Sequence, residues 1–525
     1  MSGVIAAGNS YTANAGAEIL RQGGNAVDAA VAAAFVSCLA EPALVCLGGS
    51  GVAQVFDSGT GQGKVYDFFS NMPGIDSEGG SGIIDFRRVQ VDFGVAQQVF
   101  FIGRASVAVP GLIAGLCKML EEAGTFSLPA VLAPAIELAR SGVPLDQQQA
   151  HMVQLISSIL RDTRSMAEVF APGGKLIQQG DLVRFPNLAE TLEQLAQEGP
   201  HLFYRGKIAQ TIVIDQLRAG GFITSRDLED YQVHSTQAIT VPYRGYSLLL
   251  PPPSSAGGVL IAFALRLLEV QSLTGVTPLG PDHIRLLAEV MRLTNIARVE
   301  WEEARYLPGA LERFLSDSYL DSYQQKLQNA LDGNPTSEPQ HPPSPPNTTH
   351  ISVADGNGMV VSLTHSGGEN AGFVLGKTGV TLNNMLGEMD LHPKGFHTLA
   401  PGERLQTMMS PVIVLKDGQP VLALGSGGSN RLRTAILQVI SHRIDFGMSL
   451  EEAVNAPRVH FEDNVLQLEK GIEAKVAFAL ERLYEVNRWM ERSMFFGGVH
   501  AVCKQGDDWV AVGDSRRGGY TIRVP

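Results

Sequence analysis

Between Asp332 and Pro346 the chain reads DGNPTSEPQHPPSPP, six prolines in fifteen residues with no other apolar side chain to bury. Such a run cannot extend a helix or take a central place in a sheet, and it has nothing to pay for its own ordering. It predicts an extended, mobile surface segment over 332–347 and divides the chain into residues 1–347 and 348–525. At 525 residues the whole exceeds the roughly 250–300 at which a single hydrophobic core stops growing. Two domains, or one large layered domain, are therefore expected.

The chain beyond the proline run is strand-rich. Thr349 to Ala354 alternates with period two, Asp355-Gly356-Asn357-Gly358 supplies a turn, and Met359 to Thr364 returns, which predicts a hairpin. Val412–Leu415 and Val421–Leu424 flank a Lys416-Asp417-Gly418 turn, and the second of these strands runs into Gly425-Ser426-Gly427-Gly428-Ser429. A helix then carries Leu432, Ala435, Ile436, Val439, Ile440 and Ile444 on one face, with Gly447 placed to end it. The first third reads as helices packed on strands. Asn25 caps an Ala-rich helix, Gly48-Gly49-Ser50-Gly51 ends it, and a strand runs over Val52–Asp57. Helical and polar stretches alternate to about Leu331.

Charge and cysteine usage exclude several functions. Net charge is −13, from 40 basic against 53 acidic residues, which argues against phosphate backbones or anionic lipid as partners. The most apolar stretch, Ala29–Ala40, is shorter than the roughly 20 residues a membrane span needs, and no signal-peptide pattern opens the chain, so a cytoplasmic protein is expected. Cys38, Cys46, Cys117 and Cys503 form no CxxC pair and lie near no His cluster, so buried free thiols are expected rather than a zinc site or a redox dithiol. No metal or cofactor is implied.

Three short motifs could carry chemistry. The glycine loop at 425–428 lacks the third glycine of a dinucleotide fingerprint; its backbone N–H groups suit an oxyanion hole, and a plain tight turn is the simpler reading. Gly372-Phe373-Val374-Leu375-Gly376-Lys377-Thr378 has three residues between its glycines where a phosphate-binding loop needs four, and reads as a turn with a solvated Lys377. Asn347-Thr348-Thr349 fits a glycosylation sequon by chance. It also fits something sharper, a hydroxyl residue starting a buried strand behind a cleavable tether. Cutting Asn347–Thr348 would give Thr348 both an attacking hydroxyl and, in its new α-amine, the base that activates it.

At this point the residues resemble a family. Asn347-Thr348-Thr349-His350-Ile351-Ser352-Val353, with its Asp/Gly turn and Val361-Ser362-Leu363-Thr364, looks like the processing and nucleophile motif of the γ-glutamyltransferases, within the N-terminal nucleophile hydrolases. EILRQGGNAVDAAVAAA at 18–34, AVPGLIAG at 108–115, PPPSSAGG at 251–258, LNNMLGEMD at 382–390, GSGGSN at 425–430 and NAPRVH at 455–460 come in the family's order. The resemblance implies an α+β fold, a four-layer αββα sandwich built by both halves of a precursor that cuts itself before Thr348. It implies Thr348 as nucleophile and base, the N–H groups of Gly427 and Gly428 as oxyanion hole, and Ser366 as a second hydroxyl beside the nucleophile.

The substrate pocket departs from the family pattern. Phe69 stands where the family has the arginine that holds the donor's α-carboxylate, and a pair of serines corresponds to Thr407 and Met408. On the α-amino side Glu388 is kept, the amide position beside it is Met385 with Asn384 adjacent, and an expected asparagine falls at Gly368, next to Glu369 and Asn370. Arg87, Arg88 or Arg104 could replace the missing arginine. The implied activity is hydrolysis or transfer of γ-glutamyl amides such as glutathione through a threonine acyl-enzyme. An acylase of the same mechanism with a non-glutamyl donor, as in cephalosporin acylase relatives, is the alternative, and a silent, uncut homologue is another. The implied partners are a small-molecule amide and the chain's own two fragments, paired as a heterodimer that could itself dimerise.

Overall fold

The computed structural model describes residues 2–76, 82–92, 97–338 and 347–525. Its centre is two antiparallel sheets laid face to face. The first has seven strands in the order Tyr520–Val524, Gly3–Ala7, Thr349–Asp355, Met359–Ser366, Ser50–Asp57, Gln62–Phe68 and His234–Thr236. The second has six, in the order Asp508–Val512, Gly498–Gln505, Gln419–Gly427, Val412–Lys416, Tyr246–Leu250 and Ile239–Tyr243. Each sheet takes strands from both sides of residue 347. Neither length of chain is a domain by itself.

Val4, Ala6, Phe56, Leu249, Ala354, Val360, Ile413, Ala423 and Val502 fill the space between the sheets. Helix Ala26–Ala40 covers the first sheet from outside, and helices Ala256–Glu269 and Asn430–Ile444 cover the second. The result is the αββα sandwich. The predicted hairpin forms over Thr349–Asp355 and Met359–Ser366, in register from Thr349↔His365 to Ala354↔Val360. Alternation explains it: one face of the hairpin meets the inner core and the other meets helix Ala26–Ala40.

Helix Ala26–Ala40 is buried along its full length, which alanine permits because small side chains let neighbours approach closely. Asn25 caps it as expected: its side chain accepts from the N–H of Val27 and Asp28, while Asp28 accepts from Asn25 N at 2.8 Å. Asp28 also accepts from Thr125 N at 2.8 Å, Thr125 Oγ1 at 2.6 Å and Phe126 N at 3.0 Å. The helix stops at Ala40 rather than at Gly48–Gly51, because Glu41 precedes Pro42 and is driven out of the helical region.

Two ends of the proline-rich segment also differ from expectation. Glu338 and Asn347 are both 5% exposed and packed, so mobility does not extend to them; residues 339–346 lie outside the described residues. Cys117 is half-buried, whereas the other three thiols are buried. Among the described residues no helix is long and apolar enough to cross a membrane.

Asp28→Ala would leave the buried Asn25 N–H and the part-buried Thr125 and Phe126 N–H groups without this acceptor. A loss of about 3 kcal/mol is expected, read as a lower urea midpoint of the Thr348→Ala chain, with Asn25→Ala costing about 1 kcal/mol.

Candidate active site

The hairpin brings the start of one strand next to the end of the other, and so places Thr348 beside Ser366. Both hydroxyls donate to one atom, the carbonyl oxygen of Asn347: Thr348 Oγ1 in a very short contact, and Ser366 Oγ at 2.9 Å. Ser366 Oγ in turn accepts from Gly368 N at 2.9 Å, which orients its proton toward Asn347. The peptide bond between Asn347 and Thr348 is therefore held with its oxygen between two hydroxyls, and Thr348 itself is only 5% exposed.

The second sheet delivers the glycine loop to the same place. Strand Gln419–Gly427 ends against Thr348, and a Cβ on Gly427 would stand 2.1 Å from the Thr348 carbonyl oxygen. Glycine is needed there for close backbone approach. Gly428 lies against Gly497 and the Arg517 guanidinium, in a left-handed conformation with φ 126°. Arg517 is buried, donates from Nη1 to the Thr348 carbonyl at 3.4 Å, and burial pulls its guanidinium down to about 9. On the other side Glu41 accepts from Thr349 Oγ1 at 2.5 Å and from Thr12 Oγ1 at 2.7 Å, and burial pushes it up to about 7.

Thr348 and Ser366 open onto a small pocket lined also by Phe69, Met385, Glu388, Leu391, Thr407, Met408, Met409, Ser429 and Leu432. Phe69 belongs to an apolar cluster with Val52, Val65, Met72, Ala108, Leu386 and Leu405. None of the three candidate arginines lines this pocket. Arg87 pairs with Asp85 at 2.7 Å and Asp162 at 2.5 Å; Arg104 pairs with Asp215 at 3.1 Å and lies over the Phe373 ring; Arg88 is exposed on strand Arg87–Asp92. The guanidinium that does touch Phe69 is Arg404, which donates to its backbone carbonyl and to Tyr231 Oη at 2.9 Å. It binds the main chain of Phe69 and leaves the pocket wall apolar.

On the amine side Glu388 lines the pocket, and its Oε1 has no partner among the described residues. Burial raises its pKa well above the ordinary carboxylate range, with repulsion from Glu369 and Asp390 adding to it. Three other candidates do not reach the pocket. Glu369 is fully buried and pushed up to about 8 by burial and by Asp390; Asn384 is tied to Glu369 N at 2.8 Å; Asn370 accepts from Gly372 N at 3.2 Å. They form the layer behind Glu388 because their polar atoms close loops. The departure at Gly368 has a steric cause: a Cβ there would sit 2.1 Å from Asn384 Oδ1 and 2.4 Å from Glu388 Oε1. Thr407 keeps its place on the wall, with Oγ1 accepting from Met409 N at 3.1 Å.

Two hydroxyls on one carbonyl at the head of a central strand suit a hydrolase that works through a nucleophile, and similarity to known proteins agrees. The family profile of Gamma-glutamyltranspeptidase matches residues 12–524. The chain belongs to the gamma-glutamyltranspeptidase family. Among its relatives, Acylase ACY 1 proenzyme of Pseudomonas sp. (strain SE83) is 33% identical over 512 residues, covering 95% of this chain and 89% of the relative. Glutathione hydrolase proenzyme of Bacillus subtilis (strain 168) is 28% identical over 551 residues, covering 99% and 91%. Among solved structures, cephalosporin acylase from Bacillus halodurans superposes with a TM-score of 0.85 at 25% identity, covering 99% of this chain and 95% of that one. Helicobacter pylori gamma-Glutamyltranspeptidase gives 0.53 at 28% identity, covering 61% and 90%.

As a gamma-glutamyltranspeptidase family member the chain is an enzyme of the N-terminal nucleophile hydrolase type. Sequence reasoning missed Arg517 and Glu41. Arg517 is 169 residues from Thr348 in a C-terminal Ser-Arg-Arg-Gly-Gly run, with no local signal beyond two adjacent arginines. Glu41 is marked only as the single charge in an apolar stretch before Pro42.

Gly427→Ala should displace Thr348, because the new methyl overlaps its carbonyl. Self-cleavage, followed on a denaturing gel, should fall at least tenfold; wild-type cleavage would count against this contact.

Proposed function

We propose that the chain is a self-processing threonine amide hydrolase or acyltransferase, cut between Asn347 and Thr348 and acting through an acyl-enzyme on Thr348. The observation that carries this reading is the pair of hydroxyls on the Asn347 carbonyl oxygen. In self-cleavage Thr348 Oγ1 attacks the Asn347 carbonyl carbon, and negative charge develops on the oxygen that Ser366 already bonds. The C–N bond breaks, the Thr348 nitrogen takes the proton lost by the hydroxyl, and an ester remains. Water hydrolyses that ester to an Asn347 carboxylate and a free α-amine on Thr348.

The same atoms then serve substrate. The α-amine takes the Oγ1 proton, Oγ1 attacks the donor's amide carbonyl, and the leaving amine departs with that proton. Gly427 and Gly428 are the N–H groups assigned to the resulting oxyanion, and water or an amine resolves the ester. Arg517, on the Thr348 carbonyl, adds positive potential at the nucleophile.

Glu388 suits a donor with a free ammonium, as a γ-glutamyl amide has. The opposite wall, with Phe69 and Met408, favours the second reading, an acylase-type donor without an α-carboxylate. An unpaired carboxylate there loses a charge-assisted hydrogen bond of about 1.5–3 kcal/mol, and the acylase relatives support this side.

Thr348→Ala should remain one chain of full length and lack activity; a cut at that position in the variant would overturn the mechanism. For the wild type, kcat/KM on a γ-glutamyl anilide should be at least tenfold below that on the matching anilide without the α-carboxylate. KM for amine-bearing donors should fall as pH rises above the ordinary carboxylate range, because burial raises the Glu388 pKa and the carboxyl must ionise to pair with the ammonium. A donor lacking the amine should show no such trend, and Glu388→Gln should abolish it.

A further inference from the structure

The proline-rich tract is anchored at one residue that its composition gives no reason to single out. Glu338 is 5% exposed, and both its backbone and its side chain are read by a single turn. Glu338 N donates to Asn464 Oδ1 at 3.2 Å, Asn464 Nδ2 donates to the Glu338 carbonyl at 3.2 Å, and Asn464 N donates to Glu338 Oε1 at 3.0 Å. From another element, Asn295 Nδ2 donates to Glu338 Oε2 at 3.0 Å. An asparagine amide that both accepts from and donates to one residue's main chain is a peptide clamp. It pairs the tract as a strand neighbour would, with a side chain in place of a strand.

The turn is built for this. Asp463 and Asn464 join strands Val459–Glu462 and Val465–Leu468, and both have positive φ, 55° and 63°, as a two-residue type I′ hairpin requires. That conformation points the Asn464 amide away from the hairpin toward Glu338. The support extends inward. Asn295 accepts from Arg433 Nη2 at 3.2 Å and donates to the Phe461 carbonyl at 3.2 Å, and Arg433 lies on helix Asn430–Ile444, which begins at the glycine loop. Glu338 lies nine residues before Asn347.

We propose that Asn464, with Asn295, is a clamp that holds the tether at Glu338 and so positions the Asn347–Thr348 bond for self-cleavage. It rests on the reading that the chain cuts itself before Thr348. Asn464 is a positioning residue, since it touches neither the bond nor the nucleophile. Before the cut the clamp fixes one end of the tether on the body that carries Thr348, which removes conformations that closure of a free loop would otherwise have to search.

Glu338 gives the clamp a pH signature. Burial pushes its carboxyl up to about 7, and Glu462 and Asp463 of the same hairpin add repulsion, while Asn295 and the Asn464 N–H oppose this. Arg433 faces the group from helix Asn430–Ile444, and Arg292 from helix Pro281–Ala304 reaches the Thr336 carbonyl at 3.5 Å. A carboxyl whose pKa is raised on docking is docked most strongly when protonated. The advantage is full below its free value near 4.5 and is lost as pH rises through about 7.

Asn464→Gly is the decisive variant, because glycine accepts the left-handed turn while deleting both amide bonds to the Glu338 backbone. Cleavage is followed from translation by pulse-chase on a denaturing gel. Asn464→Gly should cleave about tenfold more slowly, the size expected for two lost neutral hydrogen bonds. Its mature form should keep kcat and KM on an anilide substrate within twofold of wild type. The ratio of wild-type to Glu338→Gln cleavage rates should fall as pH rises from 5 to 8. Wild-type cleavage kinetics in Asn464→Gly, or a flat ratio across pH, would overturn the clamp. If Asn464→Gly fails to fold, the Glu338→Gln ratio decides alone. A wild-type chain that never cleaves, or a Thr348→Ala chain that does, would instead overturn the self-cleavage reading.

Discussion

The active site depends on one backbone contact, Gly427 against the carbonyl of Thr348. It is where the end of a strand in one sheet meets the start of a strand in the other, and no side chain larger than hydrogen fits between them. The approach forces Thr348 into the gap between sheets, where Ser366 can share the Asn347 oxygen with it. Everything else at the site is arranged around this pinch: the glycine loop on one side, the hairpin on the other, and the Arg517 guanidinium closing the seam.

Much of this is legible in the chain itself. Period-two alternation marks the hairpin because its two faces meet different cores, and a capping asparagine marks helix Ala26–Ala40 because orphan N–H groups need an acceptor. Motif and family pattern point to Thr348, Ser366, Gly427, Phe69, Glu388 and Thr407, and the structure brings them together. Long-range polar partners are what a sequence does not display. Glu41 with Thr349, Arg517 with Thr348 and Glu338 with Asn464 are separated by 308, 169 and 126 residues. Nothing local distinguishes a carboxylate that will be clamped from one that will be solvated. For the same reason Asn384, Glu369 and Asn370 fall outside the pocket, their polar atoms serving loop closure one layer behind it.

The pocket's electrostatics come from what surrounds each charge. The arginines that could have served the Phe69 wall are engaged elsewhere: Arg87 and Arg104 with aspartates, Arg404 with the Phe69 main chain. The acidic side has the opposite problem, three carboxyls packed together under little solvent, and burial with their mutual repulsion raises the Glu388 pKa. A pocket with an apolar wall facing a latent anion discriminates by the donor's charge pattern more than by its size.

Interleaving of strands from both sides of residue 347 has a consequence for the protein's history as a molecule. Before a cut, folding is unimolecular and independent of concentration. After it, each sheet is shared between two polypeptides, so unfolding becomes a dissociation and refolding a second-order search between fragments, neither of which holds a complete sheet. Persistence of such a cut form would then depend on how slowly it opens as well as on that second-order search. A cut at residue 347 would thus turn a fold indifferent to concentration into one that depends on it.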